Sequence, residues 1–308
     1  MIFFSKDTLR SQVEAATGGL VTVLYDDKGN PSYMRVIPKF TYESLGFETE
    51  FGTGVHEAFL VNGVEKPYIM IGQYLASNFG SRPCSLPGKD PWNTIDFDDA
   101  KNNCAAKGQG WHLMTNWEWS AVALWCAANG FQPSGNTDRG RHHTLTHEVG
   151  LRPDGALPGV SEGNGRTLTG SGPASWRHDN TFAGIADLVG NVTEWNNLVK
   201  LVDGSIILAP DNDYTLDEAS WVDTEVNLVD SNPWTSSTVT GTQLTNRALV
   251  TYNGVDITGR LYTSAGGERM CFRGGLYSRT SFAGLGNLNL NSERTSTHGG
   301  HGFRLAFL

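Results

Sequence analysis

Residues 184–195 read Gly-Ile-Ala-Asp-Leu-Val-Gly-Asn-Val-Thr-Glu-Trp, the stretch of the chain that says most about its fold. Asp187 and Asn191 flank a glycine, and side chains of this kind hydrogen-bond local backbone and fix a tight turn. Asn191 also begins an Asn-Val-Thr glycosylation sequon. We expect this turn to be buried, so Asn191 is predicted to be structural and not to carry a sugar.

The last two residues of the stretch predict a buried frame. Trp195 is expected to fill the core, and Glu194 to pair with a buried cation, either Arg273 or Arg304. Such a pair is costly to bury and costlier to break. The four side chains are therefore predicted to support whatever lies above them.

Two helices are predicted before this frame. The first opens at Asp96, with acids in its first turn where the helix dipole favours them, and its apolar positions continue to Gly108. The second opens at Thr115, a plausible N-cap, with Glu118 three residues later as in a capping box. Its apolar stripe ends before Asn129, so both helices are expected to face the core.

The N-terminal residues 1–60 predict a short β-rich module. Two extended runs, 20–25 and 32–38, flank a turn-forming segment and indicate a hairpin, and a further strand is expected over 68–74. The sequence leaves open whether this module docks to another protein or packs onto the main domain.

Residues 130–185 are rich in Gly, Ser, Asn and Pro without a clear period, which predicts long loops held by anchors such as Trp176. Residues 201–246 hold eight acids and no Lys or Arg, which predicts an insertion of short strands and turns with an acidic face.

The composition narrows the class of protein. The chain has 308 residues, with 23 Lys and Arg against 32 Asp and Glu and a net charge of −9, which argues against a nucleic-acid binder. No apolar run is long enough to span a bilayer. The first residues become charged too early for a signal peptide. The four cysteines lie far apart, which favours buried free thiols over disulfides: Cys84, Cys104, Cys126 and Cys271.

Three segments in order carry a family resemblance. They are 96–119, 184–195, and Arg273-Gly274-Gly275 closing with Gly302-Phe303-Arg304. Over about residues 65–308 this order resembles the formylglycine-generating-enzyme branch of the C-type lectin fold. The resemblance implies an α+β fold with a small twisted antiparallel sheet, two helices and long loops. Residues 61–308 would then form a C-type lectin-like domain.

The enzymes of that fold carry features that this chain lacks. Formylglycine-generating oxidases have two reactive cysteines after the Arg-Gly-Gly-like segment, whereas no cysteine follows Cys271 here. The related sulfoxide synthases bind iron through a His-x-x-x-His-x-Glu motif. His143 and His147 have the spacing, but Val149 stands where Glu is needed. The acidic stretch 211–213 lacks the glycine and terminal Glu of a calcium loop. No catalytic residue, metal or cofactor is predicted.

Residues 276–301, which we call the variable segment, differ from the frame on both sides. Ten of its 26 residues are Asn, Ser or Thr, and it has one acid and no Lys. Leu288 and Leu290 are among its few apolar anchors. The layout resembles the variable proteins of diversity-generating retroelements, whose rewritten codons yield mainly such residues. That resemblance implies a rigid scaffold displaying interchangeable side chains, as in antibody loops.

The sequence therefore predicts a ligand-binding protein without catalysis, of phage-tail or bacterial-surface type, whose partner is a protein or glycan on a target cell. A homo-oligomer is compatible with this. A non-diversified binding domain and a metal-dependent oxidase or sulfoxide-synthase-like enzyme of the same fold are the alternatives, and elemental analysis for iron or copper would distinguish the last. The predicted ligand contacts are Tyr277, Arg279, Ser281, Leu285, Asn287, Asn289, Ser292, Thr297, His298 and His301.

Overall fold

The computed structural model describes residues 7–231, 235–236, 241–250 and 255–308. The helices of this part of the chain are α1 (Thr8–Thr17), α2 (Glu48–Phe51), α3 (Phe97–Ala105), α4 (Asn116–Ala128) and α5 (Gln243–Leu249). The strands up to α4 are β1 (Val21–Tyr25), β2 (Pro31–Pro38), β3 (Leu60–Val61), β4 (Val64–Glu65), β5 (Tyr68–Gly72), β6 (Ala76–Phe79), β7 (Arg82–Ser85) and β8 (Trp111–Leu113). The later strands are β9 (Thr193–Val202), β10 (Ser205–Leu208), β11 (Val222–Asn227), β12 (Thr235–Ser236), β13 (Arg260–Thr263), β14 (Glu268–Gly274), β15 (Gly284–Ser292), β16 (His301–Phe303) and β17 (Leu305–Phe307).

A five-stranded antiparallel sheet joins the two ends of the chain, in the order β1-β2-β5-β17-β8. The predicted hairpin is present as β1 and β2, and the strand predicted over 68–74 is β5. Strand β2 pairs directly with β5, so the sheet crosses the boundary predicted at residue 60. The N-terminal hairpin thus packs onto the main domain.

Helix α1 precedes that hairpin, so the N-terminal residues predicted as β-rich also contain a helix. Asp7 caps the helix by accepting from the backbone N–H groups of Leu9 and Arg10. Gly18 ends it in the left-handed region at φ +60°. Both are ordinary helix signals that the sequence contains.

The larger sheet has the order β11-β10-β9-β14-β15-β13-β12, with β16 also paired to β9. Strand β9 follows immediately on the turn of residues 184–192 and pairs with β10, β14 and β16. The pairs β13 with β15 and β16 with β9 are parallel. This larger sheet is therefore mixed, whereas the five-stranded sheet is antiparallel throughout, as expected.

The two predicted helices are confirmed as α3 and α4. Asp96 caps α3 by accepting from the backbone N–H of Asp99. Thr115 and Glu118 form the complete capping box of α4. Trp117 and Trp119 on α4 are fully buried in the core. None of the helices in the described ranges is long and apolar enough to cross a membrane.

Between α4 and β9 the chain follows long loops whose only helical turn is the 3-10 turn Ala174–Trp176, as the sequence predicts. The anchor expected at Trp176 is confirmed. Its ring is buried, and its Nε1 donates to Glu148 Oε2 over 3.0 Å. Ser134 and Ser175 donate to the same carboxylate, so one acid fastens three parts of the loops.

The acidic stretch 201–246 contains the short strands β10, β11 and β12, but it also begins helix α5, its first residues belong to strand β9, and Leu201 is buried. Its carboxylates also do not all face solvent. Glu218 forms ion pairs with Lys101, Lys200 and Arg294 at 3.2, 3.1 and 2.6 Å. Residues 232–234 and 237–240 of this stretch lie outside the described residues.

The α+β class predicted from the sequence is confirmed, with two core-facing helices, a small antiparallel sheet that unites the chain ends, and long loops. These are the features expected of the C-type lectin-like fold. All four cysteines are buried as free thiols. Burial raises the pKa of Cys271 to about 11, so this thiol is unreactive.

Candidate functional site

The frame beneath the variable segment is centred on one buried ion pair. Arg304 Nε and Nη2 donate to the two carboxylate oxygens of Glu194 at 2.9 and 2.8 Å, and neither side chain is exposed. Arg304 also donates to the carbonyls of Gly72 and Ala186, both at 2.9 Å. Burial raises the pKa of Glu194, and the adjacent guanidinium opposes that rise. Of the two cations that the sequence left open, Arg304 is the partner of Glu194.

Arg273 is equally buried, but it is held by neutral groups. Its Nε and Nη2 donate to Asn116 Oδ1 at 2.9 and 2.7 Å, and Nη2 also reaches the carbonyl of Leu249 at 3.1 Å. Burial lowers the pKa of this guanidinium. Since Asn116 begins α4, Arg273 joins the helix to the end of β14.

Trp195 is the core residue that the sequence predicts. It has no exposed surface, its Nε1 donates to the carbonyl of Ile95 at 3.0 Å, and its ring stacks on Phe272 with centroids 3.5 Å apart. Strand β9 thereby fixes strand β14 and the loop before α3 in one contact.

The turn that precedes β9 has the predicted geometry. Asp187 and Asn191 both adopt left-handed backbone, with φ of 60° and 59°. Asn191 is fully buried, and its Oδ1 accepts from the N–H of Thr167 at 2.8 Å. The sequon is thus inside the protein, as expected. Gly274 passes this turn so closely that an added Cβ would lie 2.6 Å from the carbonyl oxygen of Leu188.

A cleft of about 390 Å³ opens above this frame, at the end of β13, β14 and β15. It is lined by Thr193, Tyr262, Gly275, Leu276, Arg279, Asn287, Asn289, Asn291, Ser292, Ser296, Thr297, His298 and His301. Strand β15 lies between β14 and β13 and supplies the floor, while residues 296–301 form one wall. The variable segment therefore provides most of the lining.

Seven of the predicted contacts line this cleft: Arg279, Asn287, Asn289, Ser292, Thr297, His298 and His301. The other three lie elsewhere. Leu285 was wrong as a ligand contact, because it is 1% exposed and packs in the core beside Trp119, whose Nε1 donates to its carbonyl. Tyr277 is half-buried with its ring against Gly165. Ser281 is exposed on the 3-10 turn Thr280–Phe282, outside the lining.

Asn287 lies in the cleft floor and not on its rim. The residue has no exposed surface, and its Nδ2 donates to the carbonyls of Arg260 and Phe282 at 3.3 and 3.0 Å. Removing this side chain would therefore disturb the loop packing as well as any contact with a ligand.

Arg294 also lies within the variable segment, but it belongs to the frame. It forms ion pairs with Asp98 at 2.7 Å and Glu268 at 3.1 Å, besides the one with Glu218. This network joins the segment to α3 and β14. Arg294 is thus held in place by ion pairs, whereas cleft-lining residues lie both before and after it in the variable segment.

Several lining residues were missed from the sequence. Asn291 carries on the alternation of Asn287 and Asn289 with the buried Leu288 and Leu290, so the period of a strand could have found it. Tyr262 is opposite Asn289 in the parallel pair of β13 with β15, a long-range pairing with no local signal. Ser296, Leu276 and Thr193 also contribute.

The cleft is polar and nearly uncharged. Its lining includes no Asp, Glu, Lys or Cys, and Arg279 is its one permanently charged side chain. Burial lowers the pKa of His301 to about 4, against a hydrogen bond with the backbone of Ser296 that raises it, so this imidazole is neutral at physiological pH. Such a surface can donate and accept hydrogen bonds.

The metal sites weighed from the sequence are not assembled in the described residues. His143 Nδ1 is 2.8 Å from the hydroxyl of Thr137, which occupies it. Asp211 and Asp213 accept from backbone N–H groups of their own loop and of Gly63. Within the described ranges, no three His, Cys, Asp or Glu side chains come together as a metal site.

A scan against protein-family models finds no match, and a search of curated proteins finds none either. Among solved structures, the chain is similar to PvdO from Pseudomonas aeruginosa, with 16% identity, a TM-score of 0.43, and 93% of this chain and 97% of that chain covered. It is similar to Treponema denticola variable protein 1, with 13% identity, a TM-score of 0.40, and 94% and 99% covered. It is also similar to the Major Tropism Determinant U1 variant, with 12% identity and a TM-score of 0.36. The match covers 93% of this chain and 71% of that chain.

Proposed function

We propose that this chain is a ligand-binding protein in which a rigid frame presents the cleft of the variable segment to a receptor on a cell surface. The observation that carries the proposal is a contrast in burial. Residues 273–275 and 302–304 are buried, whereas polar side chains of the segment between them line the cleft. The protein would act on a virion or at a bacterial surface.

The division is supported by how the two sets of side chains are used. Glu194, Arg273 and Arg304 direct their polar atoms into the core. Arg279, Thr297 and His298 are exposed at the cleft. Exposed polar side chains can be exchanged at little cost in stability, whereas a buried charge pair cannot. A surface with these properties is suited to diversification.

Binding without catalysis is part of the proposal. The cleft lining offers neither a thiolate nor a carboxylate to act as nucleophile, general base or metal ligand. Two imidazoles remain, His298 and His301. The enzyme alternative requires stoichiometric iron or copper in the purified protein, and finding either metal would favour it.

A display library tests the proposal with a chosen target in place of the natural ligand. Codons for Arg279, Asn289, Thr297 and His298 are randomised, and the folded library is selected against hen egg-white lysozyme as a model protein target. We expect most members to stay folded and specific binders to emerge. A matched library at Glu194, Trp195, Arg273 and Arg304 should be mostly unfolded. Equal loss of folding in both libraries would refute the proposal.

Diversification itself has a separate test in the DNA. The proposal expects a near-copy of the codons for the variable segment beside a reverse transcriptase gene, with differences concentrated at adenines. A locus without either would leave a binding domain that is not diversified.

A further inference from the structure

Two buried polar atoms in the cleft have no hydrogen-bond partner among the described residues. They are Asn287 Oδ1 and His301 Nδ1, and both residues line the same cleft. A buried polar atom without a partner carries the full penalty of desolvation. Native proteins satisfy nearly all such atoms, and one that is left over calls for a water, an ion or a ligand.

The orientation of the Asn287 amide is fixed by its surroundings. Its Nδ2 donates to the carbonyls of Arg260 and Phe282, so the atom left for the cleft is the carbonyl oxygen. That oxygen requires a donor. The His301 ring is held against Trp195 and Phe272, with centroids 5.7 and 4.4 Å away, so its free nitrogen also has a fixed position.

The walls of the cleft are complementary to hydroxyl groups and not to charges. Amides and hydroxyls are contributed by Asn289, Asn291, Ser292, Ser296 and Thr297, while the lining has no carboxylate and no lysine. A ligand with several charges would find only Arg279 as a counter-charge. A hydroxyl, by contrast, can donate to an oxygen and accept from an amide at once.

The size of the cleft also favours a small polar ligand over a protein face. A volume of about 390 Å³ is typical of sites that enclose part of a small molecule. Protein interfaces instead bury about 800 Å² on each partner and depend on apolar or aromatic anchors at their centre. In this lining Leu276 is the one aliphatic side chain and Tyr262 is the one large aromatic ring.

We propose that the cleft floor is a hydroxyl-binding subsite for a neutral glycan, in which one sugar hydroxyl donates to Asn287 Oδ1 and another donates to His301 Nδ1. This deepens the proposed function and rests on it, because it names the ligand class of the same cleft. The polar side chains of the walls would then contact neighbouring hydroxyl or acetamido groups of the sugar.

The test uses the full chain on an array of neutral hexose and N-acetylhexosamine oligosaccharides with sialylated oligosaccharides as comparison. We expect binding to neutral members, with dissociation constants then measured for the strongest. His301→Phe keeps an aromatic ring packed against Trp195 and Phe272 but removes the nitrogen, and it should weaken binding about tenfold or more. The matched control is Ser281→Ala, outside the cleft, which should bind like the wild type.

Deoxy analogues of the bound sugar sharpen the result. One hydroxyl should be indispensable, because a site built to hydrogen-bond a hydroxyl strongly rejects the analogue that lacks it. His301→Phe should lose its discrimination between the sugar and that one analogue. Folding of each variant is checked by thermal unfolding.

Three results would overturn the inference. They are no binding to any neutral oligosaccharide, a preference for sialylated ones, and unchanged affinity of a folded His301→Phe, which would mean that the two atoms hold a water only. The library selection against lysozyme does not depend on sugars. If it yields binders while the array fails, the binding function stands and the glycan subsite is refuted.

Discussion

Arg304 and Arg279 illustrate two regions of this molecule that the chain places close together in sequence but uses in opposite ways. Arg304 is fully buried, and its guanidinium reaches Glu194, Gly72 and Ala186. Arg279 is exposed at the wall of the cleft. The same side chain is thus structural in one region and displayed in the other. Burial, and not residue type, therefore decides which positions of this part of the chain can vary.

The largest effect should follow from breaking the buried ion pair. Arg304→Met leaves Glu194 buried without a partner, so we expect a loss of about 3–5 kcal/mol in the free energy of unfolding. Urea denaturation measures it. The double variant Glu194→Gln, Arg304→Met should recover part of that loss, because no uncompensated charge remains. A loss below about 1 kcal/mol in the single variant would show that the pair is not part of the frame.

Removing the core ring should cost nearly as much. Trp195→Ala opens a cavity beside Phe272 and removes the hydrogen bond to Ile95, with an expected loss of about 3–5 kcal/mol in stability. Trp195→Phe is the control, since it keeps an aromatic ring and should lose less. Equal losses for the two variants would contradict the account of Trp195 as a space-filling residue.

The ion-pair network around Glu218 predicts a dependence of stability on pH. Burial alone raises the pKa of Glu218, but hydrogen bonds from Arg294 and Lys200, together with the charges of Lys101 and Arg294, outweigh it and lower the pKa to about 2. A carboxyl with a lowered pKa adds stability above its ordinary value of 4.5, and that stability is lost as the pH falls toward 2.

The difference in the free energy of unfolding between the wild type and Glu218→Gln should therefore become smaller as the pH falls from 7 to 3. The wild type is expected to be more stable at pH 7 by about 1–3 kcal/mol, and less so at pH 3. A gap that stays constant over this range would show that the carboxylate charge does not matter for folding.

The smallest effects are expected at the displayed positions. Ser281→Ala and Thr297→Ala should change stability by about ±0.5 kcal/mol, because both side chains are exposed. Asn287→Ala should instead cost about 1–3 kcal/mol, since it removes a buried amide that donates to the part-buried carbonyls of Arg260 and Phe282. Thermal unfolding distinguishes the three. If Asn287→Ala is as mild as the others, the floor of the cleft is not fixed.

Local signals made the frame predictable from the sequence. The capping box at Thr115 and the turn around Asn191 each depend on residues a few positions apart, and both were found correctly. The cleft was only partly predictable. Leu285 was assigned to the surface, whereas it lies in the stretch of β15 where the register shifts between the pairs Arg273–Leu288 and Gly274–Gly284, so simple strand alternation does not show its burial.

Long-range pairing accounts for the remaining differences. Tyr262 reaches the cleft through the parallel pair of β13 with β15, and nothing near it in sequence indicates this. Arg294 does not face the cleft as a displayed side chain, because it forms ion pairs with acids on α3 and β14 and with Glu218, all far away in the chain. Among the polar residues of the variable segment, only the structure therefore distinguishes those that face the cleft from those held by long-range contacts.

Buried residues that hold the fold and exposed residues that line the cleft alternate within one short stretch of chain. A substitution scan over residues 184–195 and 273–304 tests whether the two groups are independent. Resistance to protease is measured for every single substitution. The account predicts intolerance at Glu194, Trp195, Arg273 and Arg304, and broad tolerance at Arg279, Asn289, Thr297 and His298. A scan in which both sets lose protease resistance to the same extent would contradict it.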